Sequence, residues 1–305
     1  MTARARLIER ASGAFLGLAV GDALGATVEF MTPREIRAEH GWLHDIKGGG
    51  WLRLKPGEVT DDTEMALALG RSLIARGGNF DPAHAAQEFS DWMRGKPKDI
   101  GHTVRRGIVR FRTTGEIAVP VNEHDAGNGA CMRIAPLALA TFGGAPEAVA
   151  VAVFASAHLT HNCVLSDEGT LAVVRMIHAG LASGGDPGGV GDIAPIAHDL
   201  AARFSSFAFR GKRRENPSGY LPETLQAVFQ ALLRTDSFES ALADVVNRGG
   251  DADTTGAIAG TVAGAVYGAG DIPKRWLKRL DPAVRRACAD QARRLVALSP
   301  GYPRS

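Results

Sequence analysis

Apolar residues recur at helical spacing along almost the whole chain, and few alternating β-type runs compete with them. Met65, Leu69 and Leu73 repeat at i, i+4 and i+8. Leu225, Val228, Phe229 and Leu232 follow i, i+3, i+4 and i+7, the stripe of a helix packed along one face. The pattern predicts helices over 4–24, 62–76, 82–94, 101–113, 129–142, 145–158, 167–182, 190–203, 221–234, 237–247, 254–268 and 281–297. An all-α fold follows, built as a compact multi-helix bundle. Clusters such as G-G-N-F-D-P and S-G-G-D-P-G-G punctuate the helices, but none is long enough for a linker. Residues 1–305 are therefore expected to form a single domain, a length that supports a substantial core. The 37 glycines suit tight turns and close approach of helices.

Hydrophobic residues make up 45% of the chain and charged ones 22%, an ordinary globular balance. A net charge of +2 gives no reason to expect nucleic acid or a membrane surface as partner. No apolar stretch approaches the ~20 residues of a membrane span. Arg4, Arg6 and Arg10 precede the run A-S-G-A-F-L-G-L-A-V-G, a layout like that of a signal peptide. Glu9 and Arg10 abut that run, and Asp22 and Glu29 follow it, so a structural helix is expected instead. Cys131, Cys163 and Cys288 are widely spaced and odd in number, which suggests free thiols in a reducing cytoplasm.

The chemistry concentrates in the stretch from Asn247 to Gly260, N-R-G-G-D-A-D-T-T-G-A-I-A-G. One carboxylate before such an apolar helix would be an N-cap. Two aspartates followed by two hydroxyls exceed what capping needs. A counterpart lies far upstream, in G-E-V-T-D-D-T-E-M-A-L-A-L-G at Gly57 to Gly70. Ordinary capping accounts for either motif alone; the pair suggests two helix mouths that face each other. Glu29, in G-D-A-L-G-A-T-V-E-F, supplies a third acidic spot. Carboxylates crowded together cannot all stay ionised without compensation. One dication leaves most of that charge standing, whereas two nearly cancel it. Oxygen-only ligands favour Mg²⁺ or Mn²⁺ over Zn²⁺, which would recruit His or Cys. Two metals ~3.5–4 Å apart can activate a water and clamp substrate oxygens, which points to hydrolysis of a phosphorylated or sugar-containing ligand.

These stretches, with N-G-A-C-M-R and L-T-H-N between them, resemble in sequence and order the ADP-ribosylglycohydrolases. R-E-N-P-S-G-Y at Arg214 to Tyr220 resembles the nitrogenase-directed branch of that family. The resemblance implies an orthogonal all-α domain with two Mn²⁺ or Mg²⁺. Metal positions fall on Thr60, Asp61, Asp62, Asp251, Asp253 and Thr254, with Glu29 beside them and Thr255 left as the helix cap. Gly127, Asn128, Gly129 and Met132 match a segment lining an ADP-ribose cleft, where glycines let backbone N–H groups approach phosphates. His161 matches a histidine contacting the phosphates or the distal ribose. Where related sequences continue with a second His or a Pro, this chain has Cys163 and Val164, and His158 stays unassigned. Asp99 matches an acidic position near the leaving arginine, apt for a planar guanidinium. Tyr220 is a candidate to stack on adenine, as aromatic side chains readily do, with an ordinary packed tyrosine as the alternative.

The implied reaction is hydrolysis of the N-glycosidic bond between ADP-ribose and a protein arginine, with Glu29 or Asp62 handling a proton and Asp99 helping the leaving group. The implied protein substrate is the ADP-ribosylated iron protein of nitrogenase, and the implied regulator a nitrogen-status signalling protein. Serine-linked, polymeric or ester-linked ADP-ribose and pyrophosphate cleavage are the alternatives. All six metal positions are present, which argues against a non-catalytic binder.

Overall fold

The computed structural model describes residues 1–183 and 190–303. Among them run fourteen α-helices and three short 3-10 turns, with no strand; two isolated bridges join Gly49 to Leu54 and Gly127 to Tyr220. The all-α expectation holds. Beyond Ser183, the cluster S-G-G-D-P-G-G lies outside the described residues.

The first apolar run becomes helix α1 (Ala3–Gly25), buried on nearly all sides from Ala11 onward. A helix apolar all round needs neighbours all round, and its main partner is α12 (Ala252–Tyr267). The contact is backbone on backbone. A Cβ added at Gly17 would stand 2.1 Å from the Gly260 carbonyl oxygen, one at Gly21 2.0 Å from that of Gly256, and one at Gly25 2.1 Å from that of Ala252. Reciprocally, a Cβ at Gly264 would meet the Gly13 oxygen at 2.0 Å. The partners step by four residues in opposite directions, so the helices run antiparallel. That register carries Asp22, near the end of α1, to the beginning of α12, and Glu29 follows just beyond.

The remaining helices are α2 (Pro33–His40), α3 (Asp61–Ala75), α4 (Pro82–Arg94), α5 (His102–Thr114), α6 (Ala135–Thr141), α7 (Pro146–Ala157), α8 (Val164–Ala182), α9 (Val190–Arg203), α10 (Leu221–Arg234), α11 (Phe238–Val246), α13 (Lys274–Arg279) and α14 (Pro282–Leu298). They build one continuous buried cluster around the α1–α12 pair.

Two expectations need correction, and two helices are additional to those expected. The helix expected over 129–142 is broken into a 3-10 turn at Asn128–Ala130 and α6. Pro136 has no N–H to continue a helical ladder, and the buried Arg133 side chain takes the Gly129 carbonyl at 2.9 Å. Helices α2 and α13 show no apolar period to find: α2 buries only Ile36 and α13 only Trp276. Finally, Thr255 does not cap α12. The helix begins at Ala252 with Asp251 in the cap position, and the Thr255 hydroxyl donates back to the Asp251 carbonyl at 2.9 Å.

Candidate active site

The α1–α12 register brings the two acidic helix mouths together. Thr60 precedes α3 and Asp251 precedes α12, yet neither makes a side-chain cap. The carboxylates and hydroxyls reach across instead. The Thr60 hydroxyl is 3.2 Å from Asp62 Oδ2 and 3.4 Å from Asp253 Oδ2. The Thr254 hydroxyl stands 3.4 Å from the same Asp62 oxygen. Oxygens of Glu29, Asp251 and Asp253 lie within 4.8 Å of one another. Thr60, Asp61, Asp62, Asp253, Thr254 and Glu29 are all buried.

Capping of α3 is supplied from another helix. Asp22, fully buried on α1, accepts from the backbone N–H groups of Thr60 (3.0 Å) and Thr63 (3.1 Å) and from the Thr60 and Thr63 hydroxyls. A carboxylate N-terminal to a helix satisfies orphan donors and suits the positive end of the helix dipole. With the backbone N–H groups capped by Asp22, the Thr60 hydroxyl sits among three carboxylates, Asp22, Asp62 and Asp253, and its single proton serves one of them at a time. Asp22 stands in G-D-A-L-G-A-T-V-E-F, where no local pattern marks it as the cap of α3.

The electrostatics of this cluster call for cations. Burial pushes the Asp22 carboxyl up to about 7 against the pull of its hydrogen bonds. Burial, then the Asp99 charge, raises Asp61 to about 8, and burial, aided by the Asp251, Asp99 and Asp61 charges, raises Glu29 to about 8. Asp62 and Asp253 stand well above the usual carboxylate range, again chiefly through burial. Asp62 Oδ1 is buried and has no hydrogen-bond partner among the described residues. A buried lone pair left unpaired is costly, and a cation relieves both that cost and the crowding. The donor set is oxygen only, so these residues fit a hard divalent metal.

Above the cluster opens a cleft of about 350 Å³, lined by Glu29, Asp61, Asp251, Asp253 and Thr254 together with Asp99, Gly127, Asn128, Gly129, Met132 and His161. Asp62 and Thr60 lie beneath it and do not line it. Asp99 is half-buried, its carboxyl raised first by burial and then by the Asp251 charge. Asn128 donates to Asp251 at 2.6 Å and to the Thr224 hydroxyl at 3.0 Å, fixing the turn before the cleft wall. Tyr220 is 40% exposed and does not line the cleft; its neighbour Gly219 does, accepting from the Asn128 N–H at 2.9 Å. Phe30, Trp51 and the start of α5 also line it, and the sequence reading had assigned none of them.

His161 is packed against the glycine turn, where a Cβ at Gly127 would meet its Nε2 at 2.9 Å and one at Gly129 its Cε1 at 2.9 Å. Burial, then the Arg133 and Arg106 charges, holds its pKa down to about 3, so the ring is neutral. Its tautomer follows from its neighbours. The Arg133 guanidinium, which can only donate, gives a hydrogen bond to the Thr160 hydroxyl at 2.7 Å. That hydroxyl's own proton is left for His161 Nδ1 at 2.8 Å. Nε2 therefore carries the ring proton and presents a donor on the cleft side.

The four residues that lead into Asp251, Asn247 to Gly250, each hold a piece of this wall. Asn247 exchanges hydrogen bonds with the Leu43 backbone at 2.8 and 3.0 Å. Arg248 donates to the Arg214 carbonyl and to Gln230, tying down the R-E-N-P-S-G-Y segment. Gly249 and Gly250 lie so close to the Met31 and Pro217 carbonyls that an added Cβ would fall 2.1 Å from each.

The chain belongs to the ADP-ribosylglycohydrolases, whose family model matches residues 3–303. It is 49% identical over 291 residues to the ADP-ribosyl-[dinitrogen reductase] glycohydrolase of Rhodospirillum rubrum, covering 95% of this chain and 97% of the relative. It is 32% identical to the ADP-ribosylarginine hydrolase Tri1 of Serratia proteamaculans, covering 90% and 75%. A solved structure described as an ADP-ribosylglycohydrolase-related protein complex superposes with a TM-score of 0.83 at 36% identity, over 96% of this chain and 99% of that one.

Proposed function

We propose that this protein hydrolyses the N-glycosidic bond between ADP-ribose and an arginine of a target protein, the iron protein of nitrogenase. The observation that carries the reading is the meeting of two carboxylate-bearing helix mouths at the floor of a cleft that also holds Asp99. The relatives acting on dinitrogenase reductase and on ADP-ribosylarginine support the substrate class.

Thr60, Asp61, Asp62, Asp251, Asp253 and Thr254 would hold two Mn²⁺ or Mg²⁺. When bound, the cations supply charge neutralisation and electrophilic activation of water and of the ribose hydroxyls. Glu29, not Asp62, lines the open cleft, which makes it the better placed of the two to take a proton from the attacking water. The water oxygen bonds to the anomeric carbon as the carbon–nitrogen bond breaks, and its electron pair leaves with the guanidine nitrogen. Asp99, as the carboxylate, receives the guanidinium through paired hydrogen bonds and holds the leaving group in place; the guanidine, neutral as it departs, takes up a proton from solvent. The donor at His161 Nε2 and the Gly127–Gly129 backbone fit the diphosphate, and Tyr220, exposed outside the cleft lining but bridged to Gly127, is the aromatic candidate for adenine. One continuous core supports a single domain, and three buried cysteines without a disulfide support a cytoplasmic protein. Among the described residues no helix is long and apolar enough to cross a membrane. A nitrogen-status signalling protein as regulator rests on the family resemblance alone.

The test incubates the protein with arginine-ADP-ribosylated iron protein and Mn²⁺ and weighs both products. Intact ADP-ribose and unmodified arginine are expected, with loss of turnover in EDTA. Release of AMP would instead identify a pyrophosphohydrolase, and cleavage of serine-linked conjugates alone would move the substrate class.

A further inference from the structure

Two aromatic side chains at the cleft mouth are left over by the mechanism. Phe30 is 64% exposed and Trp51 51% exposed. Both line the same cleft as Glu29 and Asp99, and their ring centroids are 5.5 Å apart. Large exposed rings grouped at a site are a signal of binding.

The backbone is built to hold them there. Phe30 has φ 63°, a region that bulky residues avoid. It is kept so by hydrogen bonds to Gly250, Phe30 N to Gly250 O at 2.7 Å and Gly250 N to Met31 O at 2.9 Å. Strain of this kind persists where the surroundings impose it and concentrates at functional sites. Trp51 rides on the turn closed by the Gly49–Leu54 bridge, where Gly50 approaches the Ala26 carbonyl so closely that a Cβ would fall 2.3 Å from it. The indole N–H donates to Glu29 Oε2 at 2.6 Å. One edge of the indole is thus fixed while half of the side chain stays open.

The charges around the lip select its occupant. Glu29, Asp61 and Asp99 line the cleft, and among the described residues neither Lys nor Arg does. A planar cation is the group that uses both features, donating in its plane to carboxylate and stacking its face on an aromatic ring. We infer that Phe30 and Trp51 form the aromatic half of a subsite for the guanidinium of the modified arginine, with Asp99 as its acidic half. This rests on the proposed reaction and adds the determinant that separates arginine-linked from serine-linked conjugates, since a serine linkage offers neither charge nor plane.

The experiment compares wild type, Phe30→Ala, Trp51→Ala and Trp51→Phe, all loaded with Mn²⁺. KM and kcat are measured for ADP-ribosylarginine, and the Kd of free ADP-ribose by calorimetry. Trp51→Ala is expected to raise KM about fivefold or more, with Phe30→Ala in the same direction and the Kd of ADP-ribose within about twofold of wild type. Trp51→Phe keeps a ring but loses the bond to Glu29, so it should hold KM near wild type. Equal weakening of conjugate and free ADP-ribose would overturn the proposal, because the lip would then stack adenine or hold the ribose. So would a Trp51→Phe variant as impaired as Trp51→Ala, which would leave positioning of Glu29 as the whole role. Failure of the reaction itself shows separately, as no turnover of the arginine conjugate by wild type, and the Kd of the uncleaved conjugate across the same variants then decides the lip.

Discussion

The α3 mouth hangs on Asp22. Its two oxygens receive four donors from Thr60 and Thr63, an arrangement an amide cannot copy because it has one acceptor oxygen. Asp22→Asn should leave helix content intact and weaken Mn²⁺ binding about tenfold or more, the usual cost of losing a supporting contact behind a metal ligand. Calorimetric titration reads this directly, and an unchanged affinity would show that Thr60 and Asp62 hold their places without it. A second residue-scale prediction concerns the His161 tautomer. Thr160→Val removes the only hydroxyl proton aimed at Nδ1, so the ring should shift toward the form protonated at Nδ1. Nitrogen NMR of the labelled imidazole distinguishes the two forms, and an Nε2-protonated ring in the variant would refute the Arg133–Thr160–His161 relay.

Among the elements, the α1–α12 pair decides where everything else goes. A methyl group at Gly17 would overlap the Gly260 carbonyl, and backbone cannot step aside as a side chain can. Gly17→Ala should cost about 1–3 kcal/mol by forced separation of the helices, read as a lowered denaturant midpoint. Gly191→Ala on α9 is the control: among the described residues nothing lies within 4 Å of its added Cβ, so the change should be neutral or slightly stabilising. Equal losses at both sites would mean that helix propensity, not close approach, governs. Much of this was legible in the sequence. Periodicity located most of the helices, and the paired Thr-Asp-Asp and Asp-x-Asp-Thr stretches marked both mouths. The glycines at 13, 17, 21 and 25 and at 256, 260 and 264 also stand in plain view at spacing four. Their pairing needed a partner and a register, which no local pattern states. Asp22 was hidden for the same reason, since its contacts lie about 40 residues away. Trp51 and Phe30 were hidden because exposure, not composition, makes them notable. The break before α6 turned on a side chain, Arg133, taking a carbonyl that a helix would have used.

At the scale of the whole molecule, the buried carboxylates link stability, pH and metal. Asp22 is raised to about 7, and Asp61 and Glu29 to about 8, while in the unfolded chain such groups release their protons near pH 4. Between those limits the native apo protein holds protons that the unfolded chain has lost. The slope of unfolding free energy against pH follows protons bound unfolded minus protons bound native, here negative. The apo protein should therefore lose stability as pH rises from about 5 to 8. Cations bind the ionised carboxylates and displace those protons, so their stabilisation by mass action should grow over the same interval. Every carboxylate outside the site is common to both forms, and the difference between Mn²⁺-loaded and EDTA-treated melting temperatures isolates the cluster. That difference should be small at pH 5 and several-fold larger at pH 8. An increment independent of pH would mean that the carboxylates are already ionised in the apo protein, and that burial at the joined helix mouths does not govern their charge.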